Sequence, residues 1–325
     1  MKVHISNYKS LNLIKPLVTF LQFKPYHYYN INNQRLNEYF FTLIKKEDII
    51  LVIKEKEKIL GASVIVDLPW DSNIFGIKMA KISFILPEEN LTNPMNIINQ
   101  LLLNILSLGK EKNIKHLSCQ INPHEFSLIH ALEINGFKLM DTIVIHSISL
   151  KGKIFKSEKI DLKYVIREAN QRDWPAMQEL AGTAFFTSNI FLSRFYVDSL
   201  LKKNTSKLYK EWLSNSFKGE QADIVFVADI DGKAVGFITC RLLNRKLTEI
   251  LNKKIGIIPL NAVSSKFRGQ GIYTQLLKHS LNWFKKQGTD FVEIKTQIIS
   301  LPVQWAWQKL EGKLVSSYHS FHKEI

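Results

Sequence analysis

From Leu260 to Leu277 an apolar strand, a two-glycine turn and an amphipathic helix follow one another without a gap, in the order Leu260-Asn261-Ala262-Val263-Ser-Ser-Lys-Phe-Arg268-Gly269-Gln270-Gly271-Ile272-Tyr273-Thr-Gln-Leu-Leu277. Leu260 to Val263 read as a strand end, while Ile272, Leu276, Leu277, Leu281 and Phe284 fall on one side of a helix. The turn is therefore a helix N-terminus. Its unpaired N–H groups, from Gly269 to Tyr273, carry roughly half a positive charge and suit a phosphate or pyrophosphate. Gly269 and Gly271 lack a Cβ, so a ligand can approach the backbone and φ can be positive. A glycine pair at this spacing also fits a helix-entry turn that holds no ligand. Two phosphate motifs are excluded, because a dinucleotide turn needs a third glycine early in a βαβ unit and a P-loop needs Gly-Lys-Ser/Thr.

At 325 residues the chain is long enough for two domains of ~100 to 200 residues each. No apolar run approaches the ~18 residues of a membrane span. The opening residues, with Lys2, Lys9 and Lys15 interrupting short apolar pieces, do not make a signal peptide, and a cytoplasmic location is the default expectation. Cys119 and Cys240 are the only cysteines and lie in apolar strand-like segments, so buried, reduced thiols are expected, with no disulfide framework and no metal site. A net charge of +15 suits polyanions in general. No helix carries a dense basic face with interleaved aromatics, which argues against nucleic acid as the partner; an anionic small substrate such as a nucleotide profits from the same field.

The polar stretch 151–160, Lys-Gly-Lys-Ile-Phe-Lys-Ser-Glu-Lys-Ile, separates two apolar-rich blocks and is the expected linker between a domain at 1–150 and a domain at 161–325. The second block reads as strand Tyr164 to Arg167, helix Trp174 to Thr183, helix Leu200 to Asn215, and strands Ile224 to Asp229 and Ala234 to Leu242 joined at Asp231-Gly232. Then come the strand ending at Val263, the motif helix, strand Phe291 to Thr296, helix Leu301 to Leu310 and strand Lys313 to Phe321. The first block ends in the same order, with helix Pro94 to Leu108, strand His116 to Ile121, helix Glu125 to Asn135 and strand Phe137 to Ile148. At a constant offset of 175, Ala131-Leu-Glu-Ile-Asn-Gly-Phe-Lys-Leu139 lies on Ala306-Trp-Gln-Lys-Leu-Glu-Gly-Lys-Leu314. A match this short also arises by chance; the matching element order favours duplication, giving an α+β fold with a mixed sheet in each half. The same offset sets Asn93-Pro-Met-Asn-Ile-Ile98 opposite Arg268 to Tyr273, where no glycine occurs, so the first half should not hold a phosphate.

Arg268-Gly-Gln-Gly271-Ile-Tyr273 between strand and helix resembles the GCN5-related N-acetyltransferase (GNAT) signature Arg/Gln-x-x-Gly-x-Gly/Ala, and the likeness extends over roughly residues 164 to 325. The resemblance implies tandem GNAT-like domains, each a mixed, mostly antiparallel sheet flanked by helices, with acetyl-CoA as co-substrate and no metal. Its pyrophosphate would sit on the turn Arg268, Gly269, Gln270, Gly271, Ile272 and Tyr273, and its pantetheine arm would pair with the strand edge Leu260, Asn261, Ala262 and Val263 like an added strand. A closer likeness, to the dTDP-fucosamine acetyltransferase group, rests on Leu68-Pro-Trp-Asp-Ser-Asn-Ile-Phe-Gly76, Ser193-Arg-Phe-Tyr-Val-Asp198 and Leu208-Tyr-Lys-Glu-Trp-Leu-Ser-Asn-Ser216. It implies an amine acceptor on a nucleotide-linked amino sugar and a place in surface polysaccharide synthesis; a homodimer is a separate expectation.

Three positions depart from the family pattern. Tyr273 replaces its final Gly or Ala, Ser300 takes the place of a coenzyme-contacting Asn, and Trp307 stands where a Tyr usually protonates the departing thiolate. Glu311 also lies at a helix C-cap position where the family has Gly. Indole only donates, so Trp307 cannot replace a phenol as an acid; with a thiol pKa near ~8.5 the leaving group depends little on one. Tyr273, Tyr318 and His319 are the alternative acids, with Ser317, His319 and Phe321 on one face of the last strand and Tyr318, Ser320 and His322 on the other. Backbone N–H groups at Ala262 or Val263 would face the oxyanion, and Asn261 would hold a water in place of a base. Arg194, Tyr196 and Asp198 would grip a nucleotide phosphate and a sugar amine, or form a surface ion pair; Trp70 and Asp71 fit a turn with an Asp cap. A protein or peptide acetyltransferase and a non-catalytic acetyl-CoA-binding protein are the competing readings.

Overall fold

The structure, a computed structural model, describes residues 2–6, 11–20, 24–156, 163–186 and 192–325, with the backbone alone for 2–6, 19 and 20. Residues 157–160 of the expected linker, and 161–162 beyond it, lie outside these. The first elements are β1 (Lys2–Ser6), α1 (Leu11–Phe20), α2 (Asn33–Thr42), β2 (Ile49–Glu55), β3 (Lys58–Asp67) and α3 (Pro69–Phe75). They are followed by β4 (Met79–Pro87), α4 (Pro94–Glu111), β5 (His116–Ile121), α5 (Phe126–Ile134) and β6 (Lys138–Ser149). Then come β7 (Val165–Glu168), α6 (Trp174–Ala181), α7 (Arg194–Val197), α8 (Thr205–Phe217), β8 (Ile224–Ile230), β9 (Lys233–Leu242) and α9 (Arg245–Leu251). The chain ends with β10 (Ile255–Ile258), β11 (Asn261–Val263), α10 (Ile272–Lys286), β12 (Phe291–Gln297), α11 (Leu301–Lys309) and β13 (Lys313–Glu324).

An offset of 175 residues carries β2 onto β8, β3 onto β9, β5 onto the first six residues of β12, α5 onto α11 and β6 onto β13 without adjustment at their first residues. The repeat reaches individual contacts. Gly61 and Gly236 are equivalent by that offset, and a Cβ on Gly61 would meet Leu86 O at 3.3 Å and Leu101 Cδ1 at 3.4 Å; on Gly236 it would meet Ala262 O at 3.1 Å and Leu276 Cδ1 at 3.3 Å. Leu101 and Leu276 are themselves equivalent. Each strand can approach its helix only because the glycine leaves out a side chain.

Two compact units divide at Thr142/Ile143, and Ser317–Ile325 joins the first. In the first unit the sheet order is β1-β2-β3-β4-β5-β13, antiparallel throughout except for β4 with β5. In the second it is β6-β12-β10-β9-β8-β7, antiparallel except for β10 with β12. Each half thus gives its last strand to the other unit in equivalent register: Glu324 lies opposite His116, and Ser149 opposite Phe291. The α+β class with mostly antiparallel sheets is as expected. The units are divided inside β6 and β13, whereas the sequence pointed to 151–160.

Local differences have simple causes. The expected helix Leu200 to Asn215 starts only at Thr205, after a 3-10 turn at Lys202–Asn204. Asp71 does not cap α3, which starts from Leu68 with Pro69 in its first turn. The strand expected to run through to Val263 is two pieces, because Pro259 has no N–H to continue a ladder. Cys119 and Cys240 are buried free thiols, as expected.

β7 is held by charge. Arg167 makes two parallel hydrogen bonds of 2.7 Å to the buried Asp173 and also pairs with Asp229. The Arg167 hydrogen bonds hold the Asp173 carboxyl below the ordinary carboxylate range. A depressed carboxylate contributes stability above its unfolded pKa and loses it as pH falls. Arg167→Ala, leaving Asp173 buried without its cation, is expected to cost about 2 kcal/mol at pH 7 in urea unfolding. The deficit should shrink below about pH 4, where both forms have lost the ionised pair.

Candidate functional site

In the second unit β10 pairs with β12 in parallel from Ile255 to Ile258, opposite Phe291 to Ile294. Beyond Pro259 the chain keeps only its antiparallel neighbour β9, with Asn261, Ala262 and Val263 opposite Ile238, Phe237 and Gly236. β12 meanwhile runs on beside β6 through Gln297. The sheet therefore splits at Pro259, and β11 presents one edge to the opening.

The alternation of antiparallel bonds decides which groups face that edge. Thr239 N–H donates to Leu260 O and Ser264 N–H to Val235 O, both at 2.9 Å, so Ala262 between them is a hydrogen-bonded partner of Phe237. Asn261 and Val263 turn their main-chain groups the other way, into the split. Of the two oxyanion donors considered from sequence, geometry leaves the Val263 N–H, joined by that of Asn261; the Ala262 N–H is directed at β9. Leu260 is buried, and its N–H donates to Thr239 Oγ1 at 2.9 Å.

Directly after this strand comes the turn. Gly269 and Gly271 have φ of 78° and 82°, the left-handed region in which a side chain is strained. A Cβ on Gly269 would project into open space. Gly271 is the N-cap of the fifteen-residue α10, and no side chain caps that end. The first turn's N–H groups are thus presented outward, Gln275 being the first to bond back, to Gly271 O at 3.1 Å. Arg268 braces the turn, its Nε–H donating to Val263 O at 3.0 Å. From Asn261 to Thr289 there is no acidic residue, while Lys266, Arg268, Lys278, Lys285 and Lys286 are present. This set fits a pyrophosphate followed by an extended amide chain.

The side chains over the turn come from α10 and α11. Ile272 is buried, Gln270 is exposed and Tyr273 is half-buried. Trp307 is fully buried and donates its indole N–H to the Tyr273 hydroxyl oxygen at 3.1 Å. Ser300 is a buried residue at the start of α11 whose carbonyl accepts from Val303 and Gln304 N–H. α11 closes with Gly312 N–H bonded to Trp307 O at 2.7 Å and Glu311 N–H to Gln308 O at 2.9 Å, a Schellman ending. Glu311 occupies the left-handed position with φ 60° and pairs with Lys153 at 2.9 Å.

The proposed acceptor residues are locally engaged. Arg194 stacks over Phe195 at 4.5 Å, and Tyr196 lies parallel to Phe186 at 5.2 Å with Lys202 Nζ over its ring at 4.5 Å. Asp198 is buried and accepts from Leu200 N–H at 2.9 Å. Ser193 caps α7 and accepts from the Tyr209 hydroxyl at 2.7 Å, which ties the segments 193–198 and 208–216 into one structure. Gln297, at the end of β12, donates to Leu192 O at 2.6 Å and so anchors this region to the split strand. Tyr318 and His319 belong to the first unit, where His319 Nδ1 lies 2.9 Å from Thr142 Oγ1. Sequence reasoning did not single out Thr239 or Pro259; a proline inside an apolar strand pattern was the available signal for the split.

Residues 174–309 match the model of the Acetyltransferase (GNAT) family. This stretch, less than half of the chain, is similar to the GNAT family. An uncharacterized N-acetyltransferase of Methanocaldococcus jannaschii is 28% identical over 131 residues, covering 40% of this chain and 52% of that protein. N-alpha-acetyltransferase 30 of Schizosaccharomyces pombe is 26% identical over 99 residues, covering 30% of this chain and 63% of its own. The chain thus spans about half to two thirds of the length of these relatives. A tandem GNAT protein from the clavulanic acid biosynthesis pathway aligns in structure with a TM-score of 0.59 at 10% identity, covering 99% of this chain and 98% of that one. The shared fold is the tandem one. No helix among the described residues is long and apolar enough to cross a membrane.

His146, opposite Ile294 on β6, is 1% exposed. Burial pushes its imidazole below the ordinary value, with the Gln304 side chain opposing in part. A histidine depressed in the folded state takes up its proton preferentially on unfolding, so its stabilising contribution is complete above the unfolded pKa of about 6.5 and is lost as pH falls. Thermal unfolding midpoints should drop between pH 7 and pH 5, and His146→Leu should reduce that slope.

Proposed function

We propose that the second half of the chain transfers an acetyl group from acetyl-CoA to a primary amine, and that the acceptor is an anionic, nucleotide-linked amino sugar. The single observation that supports this most is the continuity of two features: outward-facing N–H groups at Asn261 and Val263, and an uncapped helix N-terminus at Gly271 a few residues on. The turn from Arg268 to Tyr273 would hold the pyrophosphate, and Asn261 to Val263, with Ser300 at the start of α11, the amide arm. Acetyl-CoA supplies the acyl group already activated as a thioester. The protein's own contribution is to fix the carbonyl against the Val263 N–H, where one preorganised donor contributes about 3 kcal/mol, and to hold the amine close by.

The first half, by the same reasoning, is a degenerate copy. Gly61 lies opposite Pro87 as Gly236 lies opposite Val263, so the residue equivalent to Val263 has no N–H to offer. α4 starts at Pro94, which the offset sets on Gly269, so the glycine turn is missing too. Its role would be structural, since it supplies residues 143–149 to pair with β12.

The amino-sugar assignment draws support from the segments around Ser193 and Leu208, joined by the Tyr209–Ser193 bond, and from the net charge of +15, which favours an anionic acceptor over a lysine-rich one. Arg194, Tyr196 and Asp198 on the joined segment are the residues we assign to acceptor binding. The similarity to a protein N-alpha-acetyltransferase favours a peptide amine as the second reading. Calorimetric titration of acetyl-CoA should show binding to the wild type and a loss of at least about 100-fold in Gly271→Glu, whose carboxylate occupies the anion site and strains a left-handed position. Turnover with nucleotide amino sugars but not with N-terminal peptides would support the acceptor class. Binding without turnover on any amine would leave an acetyl-CoA-binding protein, and no binding would remove the acetyltransferase reading.

A further inference from the structure

The two faces of the split differ in charge. Val292 and Ile294 of β12 belong to the apolar cluster that also holds Leu276, Leu277 and Trp307, so their side chains point toward α10 and α11. Successive side chains of a strand alternate, and Glu293, Lys295 and Gln297 therefore point to the other face. Gln297 ties that face to Leu192 O at 2.6 Å, which makes the segment 193–198 its neighbour. Register fixes the level of each residue along the split. Ile294 opposite Ile258 is the last rung of the parallel pairing. Glu293 lies one rung inside, opposite Ile257 and Ser147, and is 1% exposed. Lys295 is the first residue beyond, where β12 has left β10 and keeps its β6 neighbour Ile145, and it is exposed. The lysine thus stands at the vertex where the two strands part, on the face away from α10 and α11. On the neighbouring segment Arg194 lies over Phe195, and Lys202, just after it, over Tyr196, while Asp198 is buried and accepts from Leu200 N–H. The charge these residues offer to solvent is positive.

We propose that Lys295 is a specificity-determining residue for the acceptor: its ammonium receives a phosphate of the nucleotide-linked amine and turns away amines that stand beside a second positive charge. The inference rests on the amino-sugar reading. A flexible four-carbon stem lets the ammonium reach over the vertex while the reacting amine enters the split itself. Its three N–H donors can serve a buried carboxylate below and phosphate oxygens above at the same time. Charge-assisted bonding to phosphate and repulsion of a cation act in the same direction, so one residue both selects and excludes. Sequence alone shows an exposed strand lysine; pairing with β10 up to Ile294 and no further is what puts it at the vertex.

The test uses the full chain saturated with coenzyme A, so that the glycine turn is occupied and a second diphosphate cannot settle there. Calorimetric titration of thymidine diphosphate into this complex should be about tenfold weaker in Lys295→Met and within about threefold of wild type in Lys295→Arg, with coenzyme A affinity itself unchanged within about twofold. In turnover, Lys295→Met should raise KM for a nucleotide amino sugar about tenfold, and leave kcat and the KM of the same amino sugar without its nucleotide unchanged within about twofold. Lys295→Glu should reverse the preference between these two acceptors. Equal changes with charged and uncharged sugars, or a diphosphate affinity indifferent to the residue at position 295, would overturn the assignment while leaving acetyl transfer intact. Turnover of peptides alone would overturn it together with the amino-sugar reading. Absence of turnover with every amine would remove the transfer reading, and the diphosphate titration would still decide whether Lys295 receives the phosphate.

Discussion

The whole site depends on one missing hydrogen bond. Pro259 has no N–H, and by alternation from Ile255 and Ile257 the donor it lacks is one owed to β9; that antiparallel ladder is interrupted there and resumes at Asn261, while the parallel pairing with β12 ends at Ile258. A sheet interior ordinarily satisfies every main-chain group, and an unmet buried N–H or C=O costs free energy comparable to a lost hydrogen bond. Here the N–H groups of Asn261 and Val263 are left facing an opening, while the Val263 carbonyl is taken up by Arg268. Such an edge is stable when water or an extended ligand completes it, and here the break stands just before a two-glycine turn and an uncapped helix end. Thr239 secures the break from behind, bonding both main-chain groups of Leu260 within 2.9 Å, so the residue that loses its parallel neighbour is held on the other side.

The first unit carries the same framework with different residues at the equivalent positions. The first unit retains the split, since β4 pairs with β5 only from Met79 to Ile82 while β3 follows it to Pro87. It also retains the tight glycine contact at Gly61. What has changed is where prolines stand: Pro87 removes the donor equivalent to Val263, and Pro94 starts a helix where the second half has Gly269. Both substitutions are compatible with folding, since a strand-end proline and a proline in the first turn of a helix cost little. Neither is compatible with offering N–H groups to a ligand. Structure and function have separated because they ask different things of the same backbone positions.

Much of this was legible in the residues. The strand, glycine turn and helix around Gly269 follow from apolar spacing and the absence of Cβ atoms, and the offset of 175 read from nine residues near Ala131 extends to five strand and helix pairs in the structure. The Asp231-Gly232 turn, with φ of 50° and 81°, follows from two residues that tolerate positive φ. Other features were not legible, for physical reasons. Strand exchange leaves no local mark, because Lys138–Ser149 and Lys313–Glu324 have the same pattern whichever neighbour they choose; pairing partners are selected by the closed fold. The alternation that turns Val263 outward and Ala262 inward depends on register, and a shift of one residue reverses it. α9, Arg245–Leu251, is short and exposed on one side, with the Asn244 side chain accepting from Leu247 N–H as its main local cause, and a single cap is a weak signal in a sequence.

Trp307 shows how a residue that breaks a family pattern can be explained by what it touches. Viewed alone in sequence, an indole at that place removes an acid. In the fold it is a donor bonded to another of the departures, Tyr273. The two deviations compensate in hydrogen-bond polarity, since an acceptor oxygen on α10 requires a donor on α11 and a donor-only ring leaves the phenol proton uncommitted. Glu311 is a further departure: it keeps the left-handed geometry of the helix ending, φ 60°, without the glycine that would make it strain-free, and its carboxylate meets Lys153. Each deviation changes a side chain while the backbone geometry it serves is retained. The constraint that persists in this half is therefore on main-chain direction at the turn, the split strand and the helix ends, and side chains vary around it.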